Sequence, residues 1–148
     1  MISTLLSKAK ETKYFLCFPP AGNEALEQNN KELASFGNQH LPEDFCQFLE
    51  LCDGLYYDGL ELFGTKEHPR PTKEYTFTNL VKANKPFLEY TFFYQKIIIG
   101  SMSENFIIYD NKNKLFAVID RINLCSQVEF SSFEELFSYL LRHCEIEI

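Results

Sequence analysis

Residues 41–64, LPEDFCQFLELCDGLYYDGLELFG, contain a change of hydrophobic period, and that change decides the fold. Phe45, Phe48, Leu49 and Cys52 recur at i, i+3, i+4 and i+7, which draws one apolar stripe down a helix over residues 41–52. Pro42 suits the first turn of that helix, and Glu43 and Asp44 suit the positive end of its dipole. Asp53-Gly54 stops it, because glycine takes the left-handed cap without strain. From Gly59 the period is two. Leu60-Glu61-Leu62-Phe63-Gly64 alternates as a short strand does, with Gly59 and Gly64 as its bounds. Pro42, Gly54, Gly59 and Gly64 are therefore read as structural positions.

Outward from this stretch, residues 2–13 form an amphipathic helix with Leu5, Leu6 and Ala9 inward, and Pro19-Pro20-Ala21-Gly22 breaks the chain after it. A more polar helix runs over residues 24–36, with Gly37 as its stop. Downstream, residues 65–85 read as a long loop with a helical turn near 80–84. Three strand-like runs follow, at 96–99, 106–109 and 115–119, separated by polar breaks as in an antiparallel meander, with a further strand near 127–130. Ser132-Phe133-Glu134-Glu135 has the form of a capping box, Ser132 capping and Glu135 reaching back. Phe133, Leu136, Phe137, Leu140 and Leu141 then make a continuous apolar face. The order of elements is that of one α+β domain over residues 1–148, with N-terminal helices, a mostly antiparallel sheet and a closing helix.

The 148 residues carry 15 Phe and 8 Tyr but no Trp, enough ring area to fill a single core without cross-links. The net charge of −7 is unevenly placed. Residues 43–67 hold seven acids against Lys66, and residues 129–148 hold five against Arg142. Nucleic-acid binders carry the opposite sign, so a nucleic acid is excluded as a direct partner and a basic protein is favoured. The stripe of Lys82, Lys85 and Lys96 with Phe87, Tyr90, Phe92, Phe93 and Tyr94 is read as a loop feeding a core strand. The longest apolar runs are five residues, too short for a signal sequence or a membrane span. Cys17, Cys46, Cys52, Cys125 and Cys144 show no repeated spacing, which fits a reduced cytoplasmic protein whose thiols are mostly inert core fillers.

Catalytic patterns are missing. No paired Cys or His spacing suits zinc, no Gly-rich loop leads into a Lys-Ser or Lys-Thr, and Gly100-Ser101-Met102-Ser103 lacks the second glycine of a nucleophile elbow. His40 and His68 lie in polar or proline-containing loops and are read as surface residues. The chain is thus expected to be no enzyme and to need no cofactor or metal.

Laid end to end, these pieces resemble the signature of the SUKH superfamily, which takes in bacterial immunity proteins and the fungal Smi/Knr-type regulators of cell-wall glucan synthesis. The resemblance rests on Leu41-Pro42-Glu43-Asp44-Phe45, Phe48-Leu49, Asp53-Gly54-Leu55 and Leu60-Glu61-Leu62-Phe63-Gly64. It continues through Ile97-Ile98-Ile99-Gly100, Ile107-Ile108-Tyr109-Asp110 and Ser132-Phe133-Glu134-Glu135-Leu136, so that it covers residues 20–141. It implies an α+β fold with a curved sheet, and a binding function with no catalytic residues to transfer. Tyr56-Tyr57-Asp58 departs from the pattern, since small polar residues are usual there, and residues 2–13 lie outside it.

The expectation that follows is an immunity protein that neutralises a polymorphic toxin of the nuclease or deaminase type. Such a toxin is basic because its substrate is a polyanion, and an acidic inhibitor gains association rate from steering. Glu43, Asp44, Asp53, Asp58 and Glu61 are the acids expected at the contact, with Tyr56 and Tyr57 as aromatic anchors. The alternative is an intracellular regulator or scaffold that binds a host protein. Oligomeric state is left open.

Overall fold

A computed structural model describes residues 1–37, 39–70 and 76–148. In chain order the elements are helix α1 (Ile2–Lys10), strand β1 (Leu16–Cys17), helices α2 (Asn23–Ala34) and α3 (Glu43–Leu51), and strands β2 (Leu55–Tyr57), β3 (Leu60–Leu62), β4 (His68–Pro69) and β5 (Thr76–Phe77). Helix α4 (Leu80–Asn84) and two 3₁₀ turns (Lys85–Phe87 and Thr91–Phe93) lead into strands β6 (Lys96–Met102), β7 (Asn105–Asp110), β8 (Leu115–Asp120) and β9 (Ser126–Phe130). Helix α5 (Phe133–His143) follows. Seven strands form one antiparallel sheet in the order β1-β2-β3-β6-β7-β8-β9, and β4 and β5 pair separately. The fold is α+β, as expected.

Register decides which side chains share a face, because residues directly opposed across a ladder point the same way. Leu55, Leu62, Gly100, Ile107, Val118 and Val128 form one such row, and Tyr56, Glu61, Ser101, Phe106 and Ile119 form another on the opposite face. The first face packs under α3 and α5. There Phe45, Phe48, Phe116, Phe133 and Phe137 are fully buried, with ring centroids 5.0–5.8 Å apart. Each such pair contributes about 0.5–1.5 kcal/mol beyond its area burial. The opposite face is covered in part by the 3₁₀ turns, whose Phe87 and Phe93 sit against Phe106.

Several boundaries differ from the sequence reading. Helix α1 stops at Lys10, and α3 begins at Glu43 with Pro42 extended as its N-cap. Strand β3 ends at Leu62, β4 and β5 lie in the stretch read as a long loop, and β1 and β2 occupy residues given no element by the sequence. The end of α5 also departs from the expected capping box. Ser132 accepts the Glu135 N–H at 3.2 Å, but Asp44 of α3 supplies the second acceptor, taking the Phe133 N–H at 2.7 Å, while Glu135 is exposed.

Glycine is required where α3 turns into the sheet. Gly54 has φ +97°, and a Cβ on Gly64 would stand 2.2 Å from the Asp53 carbonyl oxygen. The loop around Gly64 therefore lies flat against the end of α3, and that close approach creates the buried polar cluster described next.

Candidate functional site

The seven residues expected at a partner contact do not share one environment. Asp53 is fully buried, which corrects its assignment to the surface. Its Oδ1 accepts from the Thr65 N–H at 2.7 Å and the Thr65 hydroxyl at 2.9 Å, and its Oδ2 lies 2.9 Å from His68 Nε2. His68, expected at the surface, is also buried, its ring stacked on Phe18 at 4.3 Å. A buried carboxylate needs partners of this kind to offset its lost hydration. The cluster braces the loop after β3. Asp44 is half-buried and engaged as well, since its Oδ1 takes the Phe45 N–H and its Oδ2 the Phe133 N–H.

Tyr56 and Glu61 are brought together. They are opposed across β2 and β3, on the sheet face away from α5. Arg70 lies over the rings of Phe77 and Tyr56, at 4.5 and 5.8 Å, and Tyr56 packs on Phe77 at 5.2 Å. Burial pushes the Glu61 carboxyl above its ordinary range, and the nearby Arg70 charge only partly opposes this. Tyr57 points the other way, against Phe15 and the core. Asp58 is exposed with φ +45°, followed by Gly59 at +87°, so the two form the tip of a tight hairpin closed by the Tyr57–Leu60 pair.

Asp58 and Glu43 remain as exposed acids. Helix α5 is about 16 Å long at 1.5 Å per residue. At its start Asp44 binds the Phe133 amide, Glu43 is adjacent on α3, and Glu134 pairs with the Met1 ammonium. At its far end, burial raises the Cys144 thiol and the Asp58 charge raises it further. Glu145 and Glu147 are exposed there. Asp44 of the first acidic stretch thus meets the second at the start of α5. Along α5 runs an open groove of about 720 Å³ lined by Phe130, Glu134, Glu135, Tyr139, Arg142 and His143.

Glu134, Glu135, Tyr139, Glu145 and Glu147 were missed as contact candidates. The signal was present, since the inward stripe from Phe133 to Leu141 leaves Glu134, Glu135, Ser138 and Arg142 outward by helical period. What the sequence lacked was the contact of Asp44 with the start of that helix.

The thiols are also unequal. Cys52 is buried, Cys17, Cys46 and Cys144 are half-buried, and Cys125 is exposed, so that only Cys52 is a fully buried core filler. Among the described residues no group of three or more His, Cys, Asp or Glu side chains is arranged to hold a metal ion, and no helix is long and apolar enough to cross a membrane. The chain matches no protein-family model and no curated protein.

Proposed function

We propose that the chain is a non-catalytic binding module of the immunity type, which neutralises a basic toxin domain of the nuclease or deaminase class by covering its active surface. The observation that carries this reading is the set of exposed acids at α5. Glu134 and Glu135 open the helix where Asp44 of α3 binds its first amide, Glu43 is exposed next to Asp44, Glu145 and Glu147 are exposed beyond its end, and a groove runs along it. An acidic face of this extent complements a surface built for a polyanion, and it raises the encounter rate over that of a neutral pair. Tyr139 and Phe130, whose rings lie 5.3 Å apart in the groove, offer the aromatic area that interface centres favour. The resemblance of residues 20–141 to the SUKH signature supports the same reading. Binding occurs in the cytoplasm in this proposal.

The test is inhibition. A basic nuclease or deaminase domain captured by the immobilised chain and released by rising salt should lose activity at equimolar chain. Its association rate should fall tenfold or more as salt rises through several hundred millimolar. Full toxin activity in the complex would overturn the reading.

A second reading, a regulator or scaffold for a host protein, is favoured by a different surface. Leu88, Tyr90 and Tyr94 are 47%, 57% and 63% exposed near Lys82 and Lys85, on the side of the 3₁₀ turns. Exposed aromatic and aliphatic groups in one short segment mark protein contacts rather than solvent. A partner held there would stay bound through high salt, and Tyr90→Ala would release it.

A further inference from the structure

Helix α5 spends one stripe on the core and turns another outward. At about 100° per residue, Glu135, Ser138, Tyr139 and Arg142 fall within an arc of about 100°, centred opposite the buried stripe from Phe133 to Leu141. Glu135 and Arg142 are exposed, and Ser138 and Tyr139 between them are half-buried. Among the described residues neither Glu135 nor Arg142 has an ion-pair partner, whereas the neighbouring Glu134 is held by the Met1 ammonium. The open groove follows this stripe, and β9, the last strand of the sheet, reaches it only with Phe130.

We infer that this stripe is a self-association surface, and that its occupant is the antiparallel α5 of a second copy of the chain. A two-fold axis between Ser138 and Tyr139 sets Glu135 against the second copy's Arg142, and Arg142 against the second copy's Glu135. The two pairs then stand about 10 Å apart along the helix, one on each side of the axis. At the centre each Tyr139 meets the small Ser138 of the other copy. That match of large to small lets the helix axes approach to about 8–10 Å, a gap that Glu and Arg side chains span together.

Charge selects this occupant. The chain carries −7, so two copies repel one another overall, but the stripe holds one acid and one base and is itself neutral. An acid near the start of a helix and a base near its end suit that helix's own dipole. The same polarity, reversed by the two-fold axis, makes the face complementary to itself. A basic segment of another protein laid along the stripe would meet Arg142 as a like charge. The rings of Phe130, Tyr139 and His143, at 5.3 and 5.7 Å in turn, add aromatic area beside the charged pairs. The pairing does not rest on the toxin reading. It bears on it, because a second copy seated here covers Glu135, and a toxin docked on α5 has to displace it.

Sedimentation equilibrium of the chain alone, from about 5 to about 500 μM in about 150 mM salt, tests it. The wild type should pass from monomer to dimer across that range. Glu135→Arg and Arg142→Glu each turn two attractions into two repulsions, and each should raise the dissociation constant roughly tenfold or more. Mixed in equal amounts, the two variants should form a heterodimer at least as tight as the wild-type dimer, because every facing pair is then opposite in sign. The chain carrying both substitutions should pair with itself as the wild type does. Both side chains are exposed, so thermal melts of all variants should agree within about 2 °C. A wild type that stays monomeric at the highest concentration would overturn the proposal. So would a dimer that neither single reversal weakens, or a loss that mixing the two variants does not restore.

Discussion

Asp53 is an acid that the fold has taken out of water and surrounded with donors. Its three partners come from Thr65 and His68, twelve and fifteen residues further on, so Asp53→Ala leaves a buried amide, a hydroxyl and an imidazole without their acceptor. The expected loss is roughly 3 kcal/mol, read as a lower urea midpoint with an unchanged slope. Glu61 presents the opposite case, a carboxyl that burial penalises. Because its pKa is raised in the folded chain, its favourable contribution is complete below the unfolded value and is lost as pH rises through the folded one. Glu61→Gln should therefore gain stability on the wild type between pH 4 and pH 7 in paired urea titrations, and a gap that shrinks over that range would contradict the assignment. Neither environment was legible in the sequence. Asp53 follows a helix-stopping pattern and His68 lies next to Pro69, and both local signals say surface. Only the close approach of Gly64 to the Asp53 backbone makes the pocket that buries them.

Among the elements, the end of α5 is closed from two sides, by Ser132 within the chain segment and by Asp44 from α3. Replacing either residue by alanine should cost about 1 kcal/mol, the usual value of an N-terminal cap. The double variant should cost measurably less than or more than the sum, since both serve the same helix end. Strict additivity in denaturant melts would show that Asp44 acts elsewhere. Helices α3 and α5 and strands β6 to β8 were readable because each is long enough to display its period. Strands β1, β2, β4 and β5, at two or three residues, are too short for alternation to register. Strand β2 did announce itself through Asp58-Gly59, a pair that favours two-residue hairpins, yet the three residues before it lack a clear polar alternation. Helix α4 is fixed by tertiary contact. Asn84 donates to the Ile98 carbonyl at 2.9 Å and accepts the Ile98 N–H at 2.8 Å, serving β6 where β3 has ended.

For the whole molecule, spacing along the chain gave two acidic stretches, and nothing in either shows that Asp44 of one binds the first amide of the helix that carries the other. The α5 face carries a prediction of its own. Glu134→Gln with Glu135→Gln removes two exposed acids that no core contact needs. Stability should stay within about 0.5 kcal/mol of the wild type. The association rate with a basic domain should fall several-fold at low salt and converge with the wild type at high salt. A salt-independent loss of affinity would mean that the pair contacts its partner by some means other than steering.

The aromatic cluster beneath α5 has a consequence for biosynthesis. Phe45 and Phe48 emerge from the ribosome long before Phe133 and Phe137, the rings that cover them. Until residues 133–141 leave the exit tunnel, the nascent chain has α3 and the meander but no lid over their apolar side. A chain in that state exposes the surface that chaperones recognise, and it is open to wrong pairing in proportion to its concentration. Translation that stalls between residues 120 and 133 should therefore yield a sticky product that holdases retain, whereas release after α5 allows one late, cooperative closure.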